Sequence, residues 1–95
     1  MDNMKMVRLG RTELMVTKTA MGCLPIQRID HAAAKKLLRR AYDNGINYFD
    51  TARAYSDSEE KMGNALRDVR KNIIISTKTP STTVEGFWKD LETSL

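Results

Sequence analysis

Three residues of this chain combine types that could move a proton: Asp50, Tyr55 and Lys78. Asp50 follows the run Ile46-Asn47-Tyr48-Phe49, so a carboxylate emerges directly from an apolar stretch. There it needs a cation or several donors to remain ionised. Lys78 closes the next such run, Ile73-Ile74-Ile75-Ser76-Thr77, and is the natural partner. Tyr55 stands five residues beyond Asp50 and can reach back toward the pair. A phenol beside an ammonium has its phenolate favoured, and a tyrosine so placed can act as general acid toward a carbonyl oxygen. On spacing alone the pair also reads as a structural salt bridge, and the tyrosine as a packing lid.

Elements that would bring the three together are visible in the pattern. Residues 4–9 and 14–18 alternate as two strands around the turn Gly10-Arg11-Thr12-Glu13, a β-hairpin over 4–18. A strand over 19–24 is stopped by Pro25. Asp30 can cap a helix whose apolar stripe is Ala34, Leu37, Leu38, Ala41 and Tyr42, with Gly45 as its left-handed stop. A strand over 46–51 follows. Asp57 or Ser58 can cap a second helix with the stripe Met62, Ala65, Leu66 and Val69, which Asn72 closes. The three isoleucines open a strand over 73–78 that reads as buried on both faces, the habit of a covered parallel sheet. Thr82 and Glu85 form a capping-box pattern for a third helix with the stripe Val84, Phe87, Trp88, Leu91 and Leu95.

The strands expected from Thr19, Ile46 and Ile73 start 27 residues apart, giving βα units over 19–45, 46–72 and 73–95 in one domain. That repeat predicts α/β architecture with a parallel sheet. Gly22 and Cys23, Asp50, and Lys78 then sit at the C-terminal ends of successive strands, the face where such folds gather their sites. The third stripe is still running at Leu95, so the chain is expected to be a cut piece with two open sheet edges and a tendency to self-associate.

Composition narrows the classes. Of 95 residues 41% are hydrophobic and 29% charged, as in ordinary globular domains. The net charge of +4 invites a nucleic-acid reading, but no block of like charge exists to act as an arm. The densest basic group, Lys35, Lys36, Arg39 and Arg40, lies opposite an apolar stripe as a solvated face. Neither nucleic acid nor membrane is expected as a partner, since no apolar run approaches the ~18 residues of a span. With one cysteine, Cys23, and no signal-peptide pattern, a cytoplasmic protein is expected. Cys23 reads as a redox-sensitive thiol or, more simply, as a small buried residue. His31 reads as a surface residue at a helix start.

The segment Gly45-Ile46-Asn47-Tyr48-Phe49-Asp50-Thr51-Ala52-Arg53-Ala54-Tyr55 resembles the aldo/keto reductase signature G-x-x-x-x-D-T-A-x-x-Y. It continues through Ser58, Glu59 and Gly63 like the Y-x-x-S-E-x-x-x-G form of bacterial members. Ile75-Ser76-Thr77-Lys78-Thr79 resembles the strand that presents the family's lysine. Leu9-Gly10-Arg11-Thr12-Glu13-Leu14-Met15-Val16 resembles its opening hairpin, and Met21-Gly22 its first strand.

The resemblance implies the N-terminal hairpin and three βα units of a (β/α)8 TIM barrel, an incomplete one. It implies that Tyr55 protonates a small carbonyl substrate, that Lys78 eases release of that proton, and that Asp50 holds Lys78. It implies NADPH as cofactor, with NADH possible, and places Gly22, Cys23, Leu24 and Asp50 beside its nicotinamide end. The family's catalytic histidine, on a fourth strand, and its phosphate-gripping loops, after the last strands, have no counterpart in these residues. The expected activity, reduction of aldehydes or ketones to alcohols, is therefore that of a longer parent. The alternative is a non-catalytic half-barrel serving as an oligomerising or interaction module.

Overall fold

The computed structural model describes residues 5–95. Met4, the expected start of the first strand, lies outside them. β1 (Met6–Arg8) and β2 (Met15–Thr17) pair antiparallel, Met6 opposite Thr17 and Arg8 opposite Met15. Gly10 turns the chain at φ +59°, a left-handed conformation that a side chain would strain. The Thr12 hydroxyl locks the turn by donating to Leu9 O (2.6 Å) and accepting from Leu14 N (3.1 Å).

The second sheet is parallel, in the order β3 (Met21–Gly22), β4 (Tyr48–Asp50), β5 (Ile74–Ser76). Each strand is shorter than the six-residue run expected from sequence. β3 and β5 each pair on one side only, with β4. Beyond the strands the ladder thins to single bonds, from Cys23 N to Asp50 O, Thr51 N to Ser76 O, and Arg53 N to Lys78 O (2.8 Å each). Lys78 therefore lies two residues past β5 rather than within it.

α1 (His31–Asp43) begins at Asp30, whose carboxylate accepts from Ala33 N (2.7 Å). It ends as expected at Gly45 (φ +106°), where Gly45 N donates to Tyr42 O and Ile46 N to Ala41 O. Ala34 and Leu38 are fully buried, but Leu37 is 43% exposed. The stripe buried is thus narrower than the one expected. α1 packs against α2 (Ser58–Leu66), and Leu37 falls outside that contact.

Asp57 stands before α2 but does not cap it with its side chain; the carboxylate turns instead to the Lys61 ammonium, 2.9 Å away. A short 3-10 segment, Arg67–Asn72, leads into β5. The cap of α3 (Val84–Ser94) is Thr83, not Thr82: Thr83 is extended and its hydroxyl accepts from Gly86 N (3.0 Å). The core joins Cys23, Ile26, Ala34, Leu38, Phe49, Met62, Ala65, Leu66 and Ile73. Of the three isoleucines only Ile73 is buried; Ile74 and Ile75 are half-buried, because β5 is an edge. No residue of α3 is buried, and Val84 and Trp88 are 76% and 56% exposed. Among the described residues, no helix is long and apolar enough to cross a membrane.

Candidate active site

Asp50 ends β4, in register with Gly22 of β3 and Ser76 of β5. Its carboxylate is held from two directions. The Ser76 hydroxyl donates to Oδ1, and the Lys78 ammonium lies 3.2 Å from Oδ2 and 3.4 Å from Oδ1. Lys78 Nζ also donates to Thr51 O at 2.6 Å. These contacts aim the charge at the end of the sheet, and Nζ sits 5.0 Å from the centre of the Tyr55 ring. An ammonium at that distance from an aromatic face is attracted by the ring's quadrupole.

Electrostatics follow from this arrangement. Partial burial pulls the Lys78 ammonium downward, but the hydrogen bond and charge of Asp50, with help from Tyr55, outweigh it. Lys78 consequently titrates above the ordinary lysine range and stays charged at neutral pH.

A tight loop delivers Tyr55. Tyr55 N donates to Ala52 O (3.1 Å), Ser58 N donates to Tyr55 O (2.9 Å), and Ser56 between them takes φ +52°. Below the loop lies a buried hydroxyl chain that the sequence reading did not anticipate. Ser58 Oγ donates to Cys23 O (2.8 Å), so Thr51 Oγ1 is the donor in its 2.8 Å bond to Ser58 Oγ. One serine thereby ties the ends of β3 and β4 to the start of α2. Lys61, also unanticipated, has a buried side chain and donates to Ile26 O (3.0 Å), fixing the segment Pro25–Arg28 that follows β3.

The residues expected at the nicotinamide end differ in access. Gly22 is exposed, and a Cβ added there would meet nothing within 4 Å. Leu24 is 47% exposed. Cys23, by contrast, has no exposed surface; its thiol packs 3.7 Å from Met62 Sδ, and only its backbone serves the rim. Burial first, and the nearby Asp50 carboxylate second, push that thiol up to about 12, against a smaller opposite pull from Lys78. The small-buried-residue reading of Cys23 fits this environment. His31 is half-exposed, its Nε2 3.8 Å from both Asp57 and Glu60 across the starts of α1 and α2.

Comparison with known proteins agrees with this layout. The profile of the aldo/keto reductase family matches residues 17–95. A rice protein named "Probable voltage-gated potassium channel subunit beta" is 37% identical over 82 residues, covering 79% of this chain and 25% of its own. Pyridoxal 4-dehydrogenase of Microbacterium luteolum is 38% identical over 76 residues, covering 74% of this chain and 22% of its own. The chain thus spans about a quarter of the length of these curated relatives. Among solved structures, a Pseudomonas aeruginosa aldo-keto reductase superimposes with TM-score 0.87 at 33% identity, over 95% of this chain and 40% of that one. A holo-form aldo-keto reductase from Bacillus halodurans gives 0.82 at 28% identity, over 96% and 35%. The hairpin and the three parallel strands accordingly match part of a TIM barrel, and the chain belongs to the aldo/keto reductase family.

Proposed function

We propose that this chain carries the proton-transfer half of an NAD(P)H-dependent carbonyl reductase, reducing aldehydes or ketones to alcohols once the barrel is completed to its relatives' length. The observation that carries the reading is the Lys78 ammonium, gripped by Asp50 at 3.2 Å and Thr51 O at 2.6 Å and set 5.0 Å from the Tyr55 ring. A purely structural salt bridge accounts poorly for it. Asp50 and Lys78 side chains are 42% and 51% exposed, and exposed pairs contribute only about 0–1 kcal/mol. The same exposure leaves Lys78 open to a ligand at the sheet end, with the half-buried Tyr55 beside it.

Tyr55 donates its phenolic proton to the carbonyl oxygen, and Lys78 stabilises the phenolate left behind. Asp50 keeps the ammonium in place. When bound, reduced nicotinamide supplies the hydride. Gly22, lacking a Cβ beneath open space, and the apolar, exposed Leu24 fit the nicotinamide end, with Asp50 at their side. NADPH is the preferred form, with NADH as the alternative.

Titration of the chain with NADPH, followed by nucleotide fluorescence and heat, tests whether these residues suffice for a cofactor cleft; saturable binding is expected if they do. In a completed barrel, Tyr55→Phe should lower kcat by about 10²–10⁴-fold, the usual contribution of a general acid. Turnover unchanged by that substitution would overturn the role.

A second reading rests on α3, which exposes Val84, Phe87 and Trp88 of its apolar stripe and leaves Leu91 half-buried. It casts the chain as an oligomerising module. Sedimentation as a concentration-independent monomer would remove it.

A further inference from the structure

We infer that Glu59 is a positioning residue for Lys78: its carboxylate bridges Arg53 and Thr77 and holds the Tyr55 loop and the lysine segment at one separation. The importance of that separation rests on the reductase reading above; the bridge itself does not.

Glu59 lies in the first turn of α2, with only 11% of its side chain exposed. Oε1 is shut off from solvent and lies 2.8 Å from Arg53 Nη1, while Oε2 accepts from the Thr77 hydroxyl at 2.7 Å. Arg53 precedes Tyr55 by two residues, and Thr77 immediately precedes Lys78. One carboxylate therefore joins the two segments that must present the phenol and the ammonium to each other. Past Ser76, where β5 ends, the backbone ladder adds one bond, Arg53 N to Lys78 O (2.8 Å), and the lysine's own ammonium reaches Thr51 O (2.6 Å). Glu59 is the tie that acts through side chains flanking both Tyr55 and Lys78. On the other side Arg53, Glu59 and Thr77 line a cavity of about 670 Å³ shared with residues of α2 and α3. A lysine side chain has four rotatable bonds, so Asp50 and Thr51 O can fix its ammonium in one place only if the backbone that carries it stays in register. A carboxylate suits the task because one oxygen can accept from the Thr77 hydroxyl while the other pairs in charge with Arg53.

The test is competitive labelling of the 95-residue chain with trace acetic anhydride, each lysine's rate being read by peptide mass spectrometry. Lys78, paired with Asp50, should label slowly; Lys35 and Lys36 on exposed α1 give the free rate, and buried Lys61 reports unfolding. In Glu59→Ala, and in Thr77→Val at an exposed position, Lys78 should label several-fold faster while Lys61 stays protected. Thr77→Ser, which keeps the hydroxyl, should restore the slow rate. Two results would overturn the inference. One is Lys78 remaining slow in both folded variants; the other is Lys61 rising in step with it in both, which would make the bridge merely structural. Neither nucleotide nor substrate is present, so failure of the reductase reading would leave this outcome untouched.

Discussion

Cys23 illustrates how little a residue's type says about its chemistry once its surroundings are counted. With the thiol pushed up to about 12, roughly one molecule in ten thousand carries a thiolate at pH 8. Alkylation by iodoacetamide at that pH should be slow in the folded chain and rise to the free-cysteine rate in denaturant; rapid labelling of the native chain would contradict the burial. The charged groups predict a pH profile with two flanks. Asp57, paired with the Lys61 ammonium, and Asp90, accepting from Ser81 and Thr79, are held below the ordinary carboxylate range. Their contribution is present above the unfolded value and is lost as pH falls from about 4. Lys78 is held above the ordinary range, so its contribution is complete below the unfolded value and is lost as pH rises through the folded one. Asp57→Asn with Asp90→Asn should flatten the acid flank of a thermal-melt series and leave the alkaline flank alone. Asp50 and Lys78 were legible in sequence as a pair because ionisable groups at the ends of apolar runs need partners, whereas Tyr55 stood out through the family resemblance. Ser76, Thr51 and Ser58 were not. A hydroxyl has no preferred partner until strand register brings one near, and no spacing rule supplies the register of Asp50 opposite Ser76.

Helices and strands were legible to different depths. α1 was clear at both ends because its signals are local, an aspartate cap and a left-handed glycine. Which residues of its stripe are buried was not local. Leu38 and Leu37 adjoin in sequence, yet one is fully buried and the other 43% exposed. Leu38→Ala should cost about 2–5 kcal/mol and Leu37→Ala well under 1 kcal/mol in urea unfolding. The start of α3 was misread by one residue, since Thr82 and Thr83 are chemically equal and only the backbone distinguishes them. Gly86 records the outcome. A Cβ there would come within 2.9 Å of both Ser81 Oγ and Thr83 Oγ1. Replacing helical glycine with alanine ordinarily gains about 1 kcal/mol, and losing a threonine cap costs about 1 kcal/mol. Gly86→Ala should therefore yield no net gain in helix stability by circular dichroism, whereas Thr83→Ala should lose about 1 kcal/mol.

Across the whole molecule, the repeat of strand and helix pointed to a parallel sheet, and the family likeness to a barrel. How the pieces share their exposed surfaces depends on contacts between units, which no local pattern encodes. The hairpin is the clearest case. Asn47, at the entrance to β4, accepts from Thr17 N through Oδ1 (2.7 Å) and donates through Nδ2 to Met15 O (3.1 Å), while its own N–H donates to Thr17 Oγ1 (3.3 Å). One amide side chain thus fastens the end of β2 to the entrance of β4, 30 residues further along the chain. Thr17 is 2% exposed, so its amide is shielded as well as bonded. In a deuterium-exchange experiment that single amide becomes a latch sensor. It should exchange far more slowly than Met6 or Val7 across the ribbon, and in Asn47→Ala it should quicken to their pace. The hairpin's attachment would then be measurable as an opening free energy of its own, separate from unfolding of the core.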